Sequence, residues 1–426
     1  MSKRKEKILG ELGFTYAGLS GKTQKDFGRG KPFIPFMNIM ANGKIDPKFM
    51  GLVEVAPNER QNAVQKGDLF FTTSSETPEE VGMTSVLLED IGECYLNSFC
   101  FGFRLYNFDD LIPEFAPYLF RGNEVRKQII NLGQGYTRFN LPKTELLKKL
   151  KLELPSENEQ KKISEILTKA DSIIEKTQAA IAKYKAIKQG MLQDLFTRGI
   201  DLNTNKLRPR YEDAPELYKD SKLGWIPREW EDKELGDVGE VRMCRRVFNY
   251  ETSDQGDIPF YKIRTFGKQP DAYISKELYD SYRQQFSFPN KGDILISAAG
   301  TIGRTIIYDG TPSYFQDSNI VWIENNGHLI TNEYLYQVFQ IVEYKTEGGT
   351  IQRLYNSILK SALFPCPPKP EQQLITERLN AIDNKLQTEQ TYLQKMQSLK
   401  KGLMEDLLSG KKQVKVAEEV LTQSEN

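Results

Sequence analysis

The chemistry most plainly written into this chain is that of guanidinium and ammonium groups set among aromatic rings. Arg242, Arg245 and Arg246, with Lys262, Arg264 and Lys268 downstream, are side-chain types that bind phosphates or read guanine edges through paired hydrogen bonds. Lys22, Lys25, Arg29 and Lys31 form a second basic stretch, which by itself also reads as a solvated face. Tyr136-Thr137-Arg138-Phe139-Asn140 and Gln352-Arg353-Leu354-Tyr355-Asn356 interleave rings with basic groups. In Ser297 to Thr305, Thr301 and Arg304 flank Gly300 and Gly303; such a stretch brings backbone amides near a phosphate or makes a tight hairpin. Gly18 to Thr23 ends like a phosphate-binding loop, but Tyr16 stands where its first glycine belongs.

The groups for other chemistry are missing from the pattern. His328 is the single histidine, and Cys94, Cys100, Cys244 and Cys366 form no C-x-x-C pair. No zinc ligand set follows from these, and dispersed thiols fit a reducing, cytoplasmic compartment. Lys plus Arg balance Asp plus Glu at 58 each, so net charge does not announce a nucleic-acid binder. No apolar run approaches the 18 or so residues that would suggest a membrane span. A charged N-terminus without an apolar segment behind it argues against secretion.

What must position these groups is said twice. Pro155 to Arg198 align without a gap onto Pro367 to Gly410, at an offset of 212 with 13 identities in 44 pairs, which implies duplication of a whole unit. Each copy carries an apolar stripe in alternating steps of four and three. The stripe includes Ile163, Leu167, Ile174, Ile181 and Tyr184 in the first copy, and Ile375, Leu379, Leu386, Leu393 and Met396 in the second. Thr177 and Glu389, then Lys188 and Lys400, interrupt it at matching positions. A heptad sustained this long predicts two helices of about 60 Å, packed on each other as an intramolecular antiparallel coiled coil.

The segments before each helix also correspond. Ile34-Pro35-Phe36-Met37-Asn38-Ile39 resembles Ile258-Pro259-Phe260-Tyr261-Lys262-Ile263, and Lys66 to Thr72 resembles Lys291 to Ser297. Both sets read as strands and turns, with Gly82-Met83-Thr84 matching the later Gly-rich stretch and Glu11-Leu12-Gly13 paralleling Glu234-Leu235-Gly236. The expected fold is α+β: a β-rich domain over 1–152, a helix over 153–200, an irregular linker over 201–229, a second domain over 230–365, a helix over 366–410 and a frayed tail over 411–426. The two domains are expected to be related by a pseudo-two-fold.

With these elements in order, the whole chain resembles the DNA-specificity (S) subunits of type I restriction-modification systems. The resemblance rests on the doubled I-P-F-x-x-I and K-G-D segments, the Gly turns before Arg138 and Arg353, P-x-x-x-E-Q opening each long helix, and Gly224-Trp225-Ile226-Pro227-Arg228-Glu229-Trp230. It implies a non-catalytic subunit with two target-recognition domains, each reading half of a split, asymmetric double-stranded DNA target, and helices that set the spacing. The implied partners are two methyltransferase (M) and two motor-nuclease (R) subunits, which would carry S-adenosylmethionine, ATP and Mg2+. Candidate DNA contacts are Lys22, Lys25, Arg29, Lys31, Asn38, Thr72, Thr84, Tyr136 and Arg138 in the first domain. In the second they are Arg242, Arg245, Arg246, Lys262, Arg264, Ser297, Thr301, Arg304, Gln352, Arg353 and Tyr355. A coiled-coil scaffold whose domains bind proteins is the alternative the residues leave open.

Overall fold

Leu69-Phe70-Phe71-Thr72 and Ile294-Leu295-Ile296-Ser297 are strands in which all four residues are buried. Since neighbouring side chains on a strand point to opposite faces, each must lie in a sheet covered on both sides. Leu69 and Phe71 enter one core and Phe70 another; Ile294 and Ile296 enter one and Leu295 another. The computed structural model describes residues 4–344 and 353–415, and these divide into two units, one holding 1–179 with 391–426 and the other 180–390.

The units repeat one plan. In the first, a four-stranded antiparallel sheet runs Gly13–Ala17, Cys100–Leu105, Leu69–Thr72, Thr84–Val86; in the second the order is Gly239–Arg242, Ile320–Asn325, Ile294–Ser297, Thr305–Ile307. Each unit adds a three-stranded sheet with one parallel pairing, Phe33 to Tyr95 in the first and Phe260 to Tyr314 in the second. The strand that opens each domain pairs with the strand that leads into its long helix, Lys5–Ile8 with Lys151–Leu154 and Glu231–Glu234 with Leu363–Cys366.

The long helices span Glu157–Thr197 and Lys369–Leu408. Within the first unit Ile163, Leu167 and Leu407 share one core; within the second Leu195, Ile375 and Leu379 share another. In each unit, rising numbers on one helix meet falling numbers on the other, so the helices run antiparallel. The seam is graded: Ile163, Leu167, Ile181, Ile375, Leu379, Leu386 and Met396 are buried, whereas Ile174, Tyr184 and Leu393 are half-buried.

The P-x-x-x-E-Q segments are hubs. Gln160 donates to the carbonyls of Pro155 and Asp110 and accepts from the amide of Ile112. Gln372 makes the matching set with Pro367, Leu329 and Thr331. A buried primary amide that fixes two carbonyls and one amide accounts for the motif at both helix starts.

Three sequence expectations change. Ile34 ends the strand Phe27–Ile34, and Phe36–Ala41 is helical, so the first I-P-F-x-x-I segment is not one strand; its mate keeps a strand at Ile258–Tyr261. The helices Leu9–Leu12 and Leu235–Val238 both lead into the first strand of the four-stranded sheet, so Gly10 corresponds to Gly236 and Gly13 to Gly239, three residues from the match read off the sequence. Residues 201–229 are not irregular throughout: Ile200–Asp201 pairs with Lys206–Leu207, and Tyr218–Lys219 with Ile226–Pro227. The tail beyond 415 lies outside the described residues. Among those described, no helix is long and apolar enough to cross a membrane.

Candidate nucleic-acid interface

In each unit the loops that carry the candidate residues leave from one end of the four-stranded sheet. In the first, the Thr73 amide donates to Phe99 and the Thr73 carbonyl accepts from Leu141, while Ser74–Ser75 pairs with Phe139–Asn140. The Asn97 amide donates to Ile34. In the second, Ala298 donates to Asn319 and accepts from Leu354, and Gln316 donates to Tyr261 through its amide. The Gln316 side chain then accepts from the Ile263 amide at 2.9 Å. Four segments distant in sequence are thereby bonded into one loop cluster, and it is the same four segments in both units.

Half-buried arginines brace the first cluster. Arg121 donates to the carbonyls of Thr84, Ile39, Met40 and Asn42, and burial pulls its pKa down to about 10. Arg126 donates to Gly82, Glu79 and Val81. These guanidiniums satisfy loop carbonyls instead of meeting carboxylates, which fixes the backbone around Gly82. In the second unit Ser297 does comparable work: its hydroxyl donates to Thr301 and accepts from the Arg304 amide.

The candidates separate by environment. Tyr136 is fully exposed and Tyr355 half exposed, and Lys25, Thr301 and Arg353 are also at the surface. Arg138 is exposed with its Nε on the Ser74 hydroxyl at 3.1 Å. Arg304 is steadied by the Phe266 carbonyl at 2.9 Å, and Lys262 is half-buried. Lys22, Arg29 and Lys31 are ion-paired with Glu59, Glu54 and Glu93, Arg242 with Glu324, and Arg264 with Asp271. Gln352 lies outside the described residues.

Four candidates have no surface from which to meet DNA. Asn38 spends its amide on the carbonyls of Asp46 and Phe49 and its oxygen on the amide of Asp46. Thr72 accepts from the Met83 amide and Thr84 donates to Gly82. With Ser297 they are buried, tying loops to the sheet. Short polar residues beside glycine in a strand exit satisfy local backbone groups as readily as a ligand, which is why their sequence pattern misleads.

Sequence reasoning passed over several exposed groups here. Met37 and Phe99 are more than half exposed in the first cluster. Ser318, at a φ of 54°, holds a left-handed turn that a non-glycine residue seldom adopts. In the second unit Phe248 and Tyr250 stack with planes 6° apart. They follow Arg245 and Arg246 closely in the sequence, but nothing in the sequence shows that they stack.

The model of the type I restriction modification DNA specificity domain matches residues 9–183 and 227–398. This chain belongs to that family. The specificity family thus covers both domains and most of both long helices, and a non-catalytic specificity component is what the resemblance led one to expect. A Haemophilus influenzae protein assigned as a type I restriction enzyme specificity subunit is 59% identical over 151 residues, which span 35% of this chain and 39% of that relative. The MjaVIII specificity subunit of Methanocaldococcus jannaschii is 23% identical over 314 residues, 70% of each chain. The crystal structure of an S subunit from M. genitalium superposes with a TM-score of 0.55 at 14% identity, covering 95% of this chain and 96% of that one. At that identity the likeness speaks for the specificity-subunit fold, including its two repeated domains and paired long helices.

Proposed function

We propose that this chain is the sequence-reading subunit of a type I restriction-modification complex, with each domain recognising one half of a bipartite, asymmetric DNA target. The observation that carries the reading is the repeated loop cluster. The same four segments gather at the same end of the same sheet in both units, yet they present different side chains, as two readers of unlike half-sites require. The long helices would act as spacers between half-sites and as docking surfaces for two methyltransferase subunits, with two motor-nuclease subunits joining for restriction in the cytoplasm. Methyl transfer from S-adenosylmethionine and ATP- and Mg2+-dependent steps would belong to those partners.

The test is methylome sequencing in a strain without other methyltransferases, expressing this chain with the neighbouring methyltransferase gene. A split asymmetric motif that disappears when this chain is deleted is the expected result. Exchanging residues 1–152 for those of a relative with a different target should then alter one half of the motif and leave the other unchanged. A soluble complex with no methylated motif, or an exchange that alters both halves, would count against the reading.

A further inference from the structure

One turn occurs in both units with opposite decoration. After the first strand of the four-stranded sheet, Gln24–Asp26 forms a short 3-10 turn in which the Asp26 carboxylate accepts from the Thr23 amide. Asn249–Glu251 is its counterpart, with the Glu251 carboxylate accepting from the Phe248 amide. Superposing the turns by sequence pairs Thr23 with Phe248 and Lys25 with Tyr250, and puts Ser20 and Gly21 where the second unit has Arg245 and Arg246.

Arg245 and Arg246 are exposed and form no ion pair among the described residues. Each guanidinium instead lies over a ring, Arg245 on Phe286 at 5.2 Å and Arg246 on Phe248 at 5.5 Å. Phe248 is stacked in turn on Tyr250, and the Arg245 carbonyl is tied by the Tyr314 hydroxyl at 3.0 Å. A ring face occupies the plane of a guanidinium and leaves its five N–H groups, which lie around the edge, free to donate. Two exposed cations are thus held in fixed orientation with their donors unspent. In the matching region of the first unit, by contrast, Lys22, Arg29 and Lys31 already face carboxylates.

We propose that Arg245 and Arg246 clamp the DNA backbone by contacting two phosphates, with Phe286 and Phe248 as positioning residues, so that this arm of the second domain anchors the complex electrostatically. Phosphates rather than base edges are the target because the two adjacent arginines diverge onto different rings. Groups that splay apart suit separate phosphates along a strand, whereas paired readout of one base needs donors converging in a groove. The proposal rests on the DNA-reading function above and adds which residues supply its salt-dependent component.

The test is salt titration of DNA binding by the full chain in complex with its methyltransferase subunit, on a duplex bearing the methylated motif. R245A/R246A should make the slope of log Kobs against log salt shallower by about 1.8, at about 0.9 per phosphate contact, with the methylated motif unchanged. R245Q/R246Q, which keeps the polar stems, should give the same slope. F248A/F286A should lose part of the slope and F248Y/F286Y should restore it, a rescue that a general packing defect would not show. An unchanged slope in R245A/R246A, or a motif relaxed in one half with the slope intact, overturns the phosphate clamp. A wild-type complex that methylates no motif overturns the DNA-reading function itself.

Discussion

Lys188 of the first long helix and Asp383 of the second form an ion pair at 2.5 Å, and the residues 212 positions away, Lys400 and Asp171, form its counterpart in the other unit. The lysine that interrupts each apolar stripe finds a partner because the helices run antiparallel and carry the same repeat: each lysine meets the aspartate of the opposite copy. A polar pair within a seam tolerates only one register, where an apolar stripe alone would accept a slip of a turn.

That relationship gives a direct test. Lys188 and Asp383 are only 18% and 30% exposed, so the pair should exceed the roughly 0–1 kcal/mol of a surface contact. K188D, setting two carboxylates together, should cost about 2 kcal/mol. At about 2–4 °C per kcal/mol for a unit of this size, the midpoint should fall by about 4–8 °C. The exchange K188D/D383K should recover at least half of the loss by calorimetry. Equal losses in the single and double variants would show that the pair does not fix the register.

The two K-G-D aspartates should respond very unequally to the same substitution. Asp68 accepts from Arg104 at 2.7 and 2.8 Å and from the Tyr16 hydroxyl at 2.5 Å. D68N strands that arginine and should cost about 2–4 kcal/mol in urea unfolding. Asp293 has no arginine: it accepts from the Asn290 amide at 2.7 Å, and burial raises its pKa. D293N keeps that acceptor, removes a buried charge and should stay within about 1 kcal/mol of wild type at pH 7. The sign of the pH effect follows. Folding takes up a proton between the ordinary carboxylate pKa and the raised one, so Asp293 makes stability fall as pH rises through that window. D293N should flatten that part of the profile.

The four thiols should be poorly reactive in the native chain. Burial pushes Cys94 and Cys366 up to about 11 and Cys100 and Cys244 up to about 12. Against a free thiol near 8.5, a pKa of about 11 leaves roughly two hundredfold less thiolate at pH 8. Cys366 is the one that is not fully buried, and its alkylation should nonetheless be at least one hundredfold slower than that of free cysteine. Rapid modification of Cys366, read by peptide mass spectrometry, would contradict its environment.

What the sequence disclosed and what it hid divide along a physical line. The gapless repeat exposed the long helices, because a seam needs the same side-chain period throughout, and the P-x-x-x-E-Q match exposed Gln160 and Gln372. Asp171 and Asp383 were visible as identities, but their partners depend on helix direction, which no local pattern encodes. Asn38, Thr72, Thr84 and Ser297 looked like ligand groups because composition cannot tell a hydroxyl that ties a loop from one that faces solvent. The linker looked irregular because its strand pairings are only two residues long and its anchor at Arg208 is Glu371, 163 residues away.

Glu371 carries the last prediction. It is fully buried and accepts from both ends of the Arg208 guanidinium, from Trp230 Nε1 at 2.9 Å and from the Ile200 amide at 2.7 Å. It thereby fastens the connecting segment and the tryptophan of the G-W-x-P-x-x-W motif to the start of the second long helix. E371Q leaves a nearly buried guanidinium with only the exposed Glu229, at 3.7 Å, as counter-charge and should cost about 3 kcal/mol, with faster tryptic cleavage at Lys206 to Arg228. R208M/E371L removes both charges yet should recover only part of the loss, because Trp230 Nε1 and the Ile200 amide would remain buried without an acceptor. The corresponding Glu159 is half-buried and accepts from Ser156, through its amide at 3.1 Å and its hydroxyl at 2.8 Å. Glu159 is less buried than Glu371, so E159Q should cost less than E371Q, and equal losses at the two positions would mean that full burial against Arg208 and Trp230 is not what makes Glu371 matter.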